Sequence, residues 1–126
     1  MSKATVDIDI KASPDQVWAV VGDFGGLGKW LQGVDSCRQE GDDRFLEMMG
    51  MNITEHLVKR DDAGKQIVYS ITDGVPVERH QATITVLPAG DGSKVTWEVD
   101  TDDAMTDMMS QIYQQGLVAL KEHVEG

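Results

Sequence analysis

The chain has 126 residues, 40% of them hydrophobic, and 22 acidic against 11 basic side chains give a formal charge of −11. That length and apolar content suit one domain, residues 1–126, with one core. So acidic a surface repels a nucleic-acid duplex or an anionic bilayer, which leaves a small molecule or another protein as the expected partner. The lone Cys37 cannot close an intramolecular disulfide, and no charged start leading into a long apolar run marks a leader or membrane span; a cytoplasmic setting is expected.

In chain order, Val6, Ile8 and Ile10 alternate with Asp7, Asp9 and Lys11, the period of a strand with one face buried. Ser13-Pro14-Asp15-Gln16 then opens a helix: Ser13 caps it, Pro14 suits the first helical position, Asp15 complements the dipole and Gln16 completes a capping box. Val17, Trp18, Val20 and Val21 continue it until Gly22 and Gly25-Gly26-Leu27-Gly28 intervene, and a second short helix is expected around Lys29 to Gln32. Trp18 reads as a packing residue.

From Val34 to Asp100, strand-like runs alternate with turn formers around Gly41, Gly50, Gly64, Gly74 and Gly90, as in an antiparallel meander. Its clearest buried faces are Ile67, Tyr69 and Ile71, then Ala82, Ile84 and Val86, then Val95, Trp97 and Val99. Met105, Met108, Met109, Ile112, Leu117, Leu120 and Val124 recur at spacings of three and four and predict a long amphipathic helix. Residues 100–126 carry six carboxylates and one lysine, and Asp102 and Asp103 are expected to cap this helix and meet its dipole. The class is α+β: a curved antiparallel sheet of about seven strands around a long C-terminal helix, with two short helices after strand one.

Three stretches carry a family resemblance. Ile8 to Trp18 with Val21-Gly22-Asp23-Phe24 and Trp30-Leu31, the runs Ile67 to Ile71 and Gly92 to Trp97, and the long terminal helix together resemble the START-related, polyketide cyclase/dehydrase-like superfamily, also called SRPBCC or Bet v 1-like. The resemblance spans essentially the whole chain and implies the helix-grip fold, in which a bent sheet stands away from its helix and leaves room for a pocket. It names no reaction, since members include lipid and hormone binders, quinone-binding proteins and aromatases/cyclases.

Strand parity puts Glu55 with Ile53 and Leu57, His80 with Ala82 and Ile84, and Tyr69 between Ile67 and Ile71. A carboxylate, an imidazole and a phenol at an apolar cavity form a candidate acid/base set of the kind a cyclase or dehydratase requires. A one-residue register slip would reverse any of these faces, and His80 near a strand start could equally be exposed. Phe24, Trp30, Trp97, Met105, Met109 and Tyr113 are candidates for lining a binding site, aromatic rings supplying area and methionines adaptability, although a Met stripe at helical spacing also reads as plain core.

No metal or cofactor is expected: His56, His80 and His123 are far apart, one cysteine cannot build a zinc cluster, and Trp30 follows Gly28-Lys29 where a P-loop needs Ser or Thr. Three readings stay open. One is a carrier of a hydrophobic or polycyclic small molecule. Another is a cyclase/dehydratase using Glu55, His80 and Tyr69. The third is an interaction or regulatory module using the acidic start of the long helix and the surface of Met48, Met49 and Met51, and a homodimer through a sheet edge or that Met patch is compatible with the pattern.

Overall fold

The computed structural model describes residues 2–126. Strand β1 (Ser2–Ile10) leads into α1 (Pro14–Val21) and a 3-10 segment (Phe24–Lys29). Strands β2 (Val34–Glu40), β3 (Asp43–Met48), β4 (Met51–Asp61), β5 (Gln66–Asp73), β6 (His80–Ala89) and β7 (Gly92–Thr101) follow, and α2 (Asp103–Glu125) ends the chain. All seven strands form one antiparallel sheet in the order β1-β7-β6-β5-β4-β3-β2. The meander is therefore complete, and β1 returns to pair with β7, setting Ala4 opposite Val99 and Ile8 opposite Val95.

Local chemistry sets the first helix. The Ser13 side chain accepts from the Gln16 amide, and the Gln16 side chain accepts in return from the Ser13 amide. These bonds satisfy donors that a helix start would otherwise leave open. Trp18 is tied as well as packed: its Nε1–H donates to Asp62 at 3.1 Å, and the Arg60 guanidinium lies over its ring at 5.3 Å.

Two local expectations shift. The second short helix comes earlier than the expected Lys29 to Gln32, as the 3-10 segment, because Asp23 C=O accepts the Gly26 amide at 3.0 Å. A Cβ at Gly26 would sit 2.3 Å from Asp23 Oδ2, so a larger residue there would displace the Asp23 carboxylate. Asp102 holds the N-cap position of α2, but its carboxylate makes no cap bond. It instead accepts the backbone amides of Glu78 and Arg79, at 2.8 and 3.1 Å, and so ties the loop before β6 to the helix start.

The core lies between the concave face of the sheet and α2, with Val17, Ala82, Val95, Val99, Leu117 and Leu120 wholly buried. Helix α2 packs chiefly on β1 and β7. Gly116 allows the close approach, since a Cβ there would lie 2.8 Å from Leu31 Cδ1 and 2.9 Å from Trp97 Cζ3. Gripped on that side, the helix leaves space over β3, β4 and β5, and the cavity opens there.

Candidate ligand-binding cavity

The cavity has a volume of about 130 Å³. Leu46 and Met48 of β3, Ile53 and Glu55 of β4, Tyr69 and Ile71 of β5, and Trp97 of β7 form its floor. Its roof is Met108, Met109, Ile112 and Tyr113 of α2. Leu27, Leu31, Val75, Met49 and Met51 complete the wall, and the partly exposed Met49, Met51 and Met108 form its rim. A second void of about 90 Å³ shares Leu31, Met48, Met49 and Ile112 with the first, so these four flexible or terminal side chains separate the two. A wider depression of about 650 Å³ near the β6–β7 turn is open to solvent. Its Lys121 is already held by Asp9 C=O and Glu125, at 3.0 and 2.6 Å, and we regard it as a surface groove.

Of the expected site residues, Glu55, Tyr69, Trp97, Met109 and Tyr113 line the cavity. Phe24, Trp30, His80 and Met105 do not. Phe24 packs behind the wall against Tyr69, Trp30 packs on the edge of Trp97 at 5.9 Å, and Met105 lies half-buried a turn before Met109. His80 is buried, not exposed at its strand start, and sits one residue layer back from the cavity.

One group of consequence was not anticipated. Arg44 shares the parity of Leu46 and Met48 on β3 and faces inward with them, directly opposite Glu55 of β4. Its Nε donates to Glu55 Oε1 at 2.7 Å, its Nη2 lies 2.6 Å from the same oxygen, and its Nη1 donates to Phe24 C=O at 3.1 Å. The guanidinium also sits 4.0 Å from the Phe24 ring centroid and 4.6 Å from that of Tyr69. Both members of the pair are more than nine-tenths buried. Unpaired, either charge would be very costly there; together they persist because each supplies the other's counter-ion and the rings accept the cation.

A second network runs behind the cavity wall. His80 Nδ1 accepts the Ile71 amide at 3.1 Å, so the proton of the neutral ring resides on Nε2, which donates to Tyr113 Oη at 2.8 Å. Burial lowers the His80 pKa to about 4, with the Arg44 charge acting in the same direction, so the ring is neutral at pH 7. Trp97 Nε1–H donates to Tyr69 Oη at 3.1 Å, and the Trp97 and Tyr113 rings stack at 4.2 Å and 2°. Burial, foremost, pushes both phenols well above their ordinary value. Tyr69 and Tyr113 are thus neutral hydroxyls at any physiological pH, held in place by an indole and an imidazole that donate to their oxygens.

The sequence and the fold of this chain both have recognised relatives. A family described as polyketide cyclase/dehydrase and lipid transport matches residues 1–125. The chain belongs to that family. Its fold is the helix-grip fold. Among solved structures, this family member is similar to an uncharacterized protein from Bacillus thuringiensis, at 28% identity and a TM-score of 0.92 over 99% of this chain and 100% of that one. It is also similar to the protein XoxI from Bacillus cereus, at 29% identity and a TM-score of 0.92 over 99% and 96% of the two chains. The di-domain ARO/CYC BexL from the BE-7585A biosynthetic pathway shares the fold, with a TM-score of 0.80 and 20% identity over 99% of this chain and 47% of that one. No curated protein matches. Among the described residues, no helix is long and apolar enough to cross a membrane, and no cluster of three or more His, Cys, Asp or Glu side chains is arranged to hold a metal.

Proposed function

We propose that the chain is a binding or carrier protein for a small hydrophobic molecule held between β3–β5, β7 and α2. The observation that carries this reading is the cavity itself: apolar walls, a methionine rim and a small set of positioned polar groups are the general composition of small-molecule sites. At about 130 Å³ it is close in size to the apolar void of about 150 Å³ that admits benzene, so a single ring is the largest ligand it suits in its present form. A polycyclic ligand would need Met48 and Met49 to swing aside and join the two voids. Native mass spectrometry of the full chain, purified without denaturation, should show a retained small molecule. Titration with benzene-sized hydrocarbons should shift the Trp97 indole resonance. Absence of both effects would remove the reading.

A second reading, a cyclase or dehydratase acting in the same cavity, is favoured by one observation. Glu55 and two neutral phenols share the cavity wall, with His80 hydrogen-bonded to one of them. Such phenols can donate to a substrate carbonyl and stabilise its enolate, and Glu55 is the base within the same space. His80 would act through Tyr113 as a positioning residue. Glu55→Gln and His80→Ala, each assayed at a temperature where circular dichroism shows the variant folded, should lower turnover of a polyketide-like substrate; unchanged turnover in both would dismiss these roles.

A further inference from the structure

Resting on the binding reading, we propose that the cavity selects a neutral single-ring molecule carrying a hydroxyl group, and rejects carboxylates. Among the described residues that line the cavity, Glu55 is the only charged one. Arg44, which would make the site an anion receptor if it lined the cavity, lies behind the lining: two of its nitrogens address Glu55 Oε1, the third donates to Phe24 C=O, and two aromatic rings lie against it. Both guanidinium contacts fall on Oε1, which leaves Oε2 for whatever enters the cavity. A ligand carboxylate would be desolvated beside a like charge, with no cation among the lining residues to offset it.

The opposite polarity is also present. Tyr69 Oη accepts from the Trp97 indole and Tyr113 Oη from His80, and the two phenols are hydrogen-bonded to each other, so of their two hydroxyl protons one joins the pair and the other is left to place. Glu55 faces Ile71 across the β4–β5 pairing and Leu57 faces Tyr69, so the carboxylate and the phenol are diagonal neighbours on one face of adjoining strands. A hydroxyl is the simplest group that answers both, accepting the spare proton of the two phenols and donating to Glu55. A hydrocarbon leaves both unanswered, which wastes the discrimination a buried polar site provides. The volume sets the size, and the rings of Trp97 and Tyr113 with the Met109 thioether supply a wall suited to an aromatic ring.

The test uses four single-ring probes at pH 7: phenol and toluene, which match in size, and benzoate with benzamide as its neutral counterpart of the same size, so that a deficit of benzoate against benzamide reports charge alone. Binding to the full chain is read from Trp97 indole and methionine methyl resonances. Phenol should bind about tenfold tighter than toluene, and benzoate at least about a hundredfold weaker than benzamide. Toluene binding as tightly as phenol would overturn the hydroxyl preference and leave the binding reading standing; benzoate binding as tightly as benzamide would overturn the charge argument. No response to any probe would instead count against the cavity as a binding site. In Glu55→Gln the neutralising charge on Arg44 is gone, and the gap between benzamide and benzoate should narrow by about tenfold or more. Should that variant unfold, the wild-type ranking decides the question by itself.

Discussion

Arg44 and Glu55 face each other across β3 and β4 as a directly paired couple, with Arg44 Nη2, behind the cavity floor, 2.6 Å from Oε1 of the floor residue Glu55. A buried pair of this kind contributes little net stability over a well-packed apolar pair, yet losing one partner strands the other charge. Arg44→Met alone and Glu55→Gln alone should each cost about 3–5 kcal/mol in urea unfolding, while Arg44→Met/Glu55→Leu together should return most of that loss. Additive losses would mean that the two charges are not each other's main compensation.

His80 makes the fold sensitive to acid. Its folded-state pKa of about 4 lies below its ordinary value of 6.5, so between those two pH values the unfolded chain binds a proton that the folded protein refuses. Stability therefore rises with pH through that window: the contribution is complete above about 6.5 and is lost progressively as pH falls to about 4. Its size is on the order of 3 kcal/mol. His80→Gln should flatten this segment of the stability profile, and nitrogen NMR of the wild-type ring should show the proton on Nε2 at pH 7. A wild-type profile with no slope from pH 6.5 to 4 would contradict the assignment.

Much of the backbone was legible because its signals are local. The Ser13-Gln16 capping box forms as its spacing implies, and Val95, Trp97 and Val99 are buried while Thr96 and Glu98 are less so. The cavity was less legible. Arg44 has a readable parity with Leu46 and Met48, but a charged side chain two residues after a turn is by default solvated; what draws it inward is Glu55, eleven positions away on the next strand. His80 was ambiguous for a similar reason, since its burial depends on Tyr113, thirty-three residues later. Cavity size depends on how closely α2 approaches the sheet at Gly116, which no periodicity expresses.

Met49 tests whether the rim holds strain. It and Gly50 form the two-residue turn between Met48 and Met51, which pair with each other, and both turn residues have positive φ, 51° and 76°. Asn-Gly is the favoured pair for such a turn, and a methionine in the left-handed region costs about 1–2 kcal/mol. Met49 is 59% exposed, so little packing offsets that cost. Met49→Asn should raise unfolding free energy by about 0.5–1 kcal/mol, and, by trimming the rim, should speed exchange of a bound ring compound in line-shape NMR. A loss of stability would show instead that Met49 closes the cavity through contacts worth more than its strain.

Gly116 sets two effects of comparable size against each other. In an exposed helix interior, replacing glycine by alanine would be favourable by about 1 kcal/mol. Here the new methyl would meet Leu31 Cδ1 at 2.8 Å and Trp97 Cζ3 at 2.9 Å. Leu31 ends in a rotatable branch and can yield. Trp97 cannot easily do so, because its ring is stacked on Tyr113 at 4.2 Å and its Nε1–H is committed to Tyr69. Relief must come from lifting α2 or tilting the indole, and overpacking of this sort costs about 1–3 kcal/mol. Gly116→Ala should therefore lower the melting temperature and change the tryptophan fluorescence spectrum, since the displaced ring is the one that lines the cavity. A higher melting temperature with an unchanged spectrum would mean that α2 has room to move away from the sheet at no cost, and that the cavity can widen by the same motion.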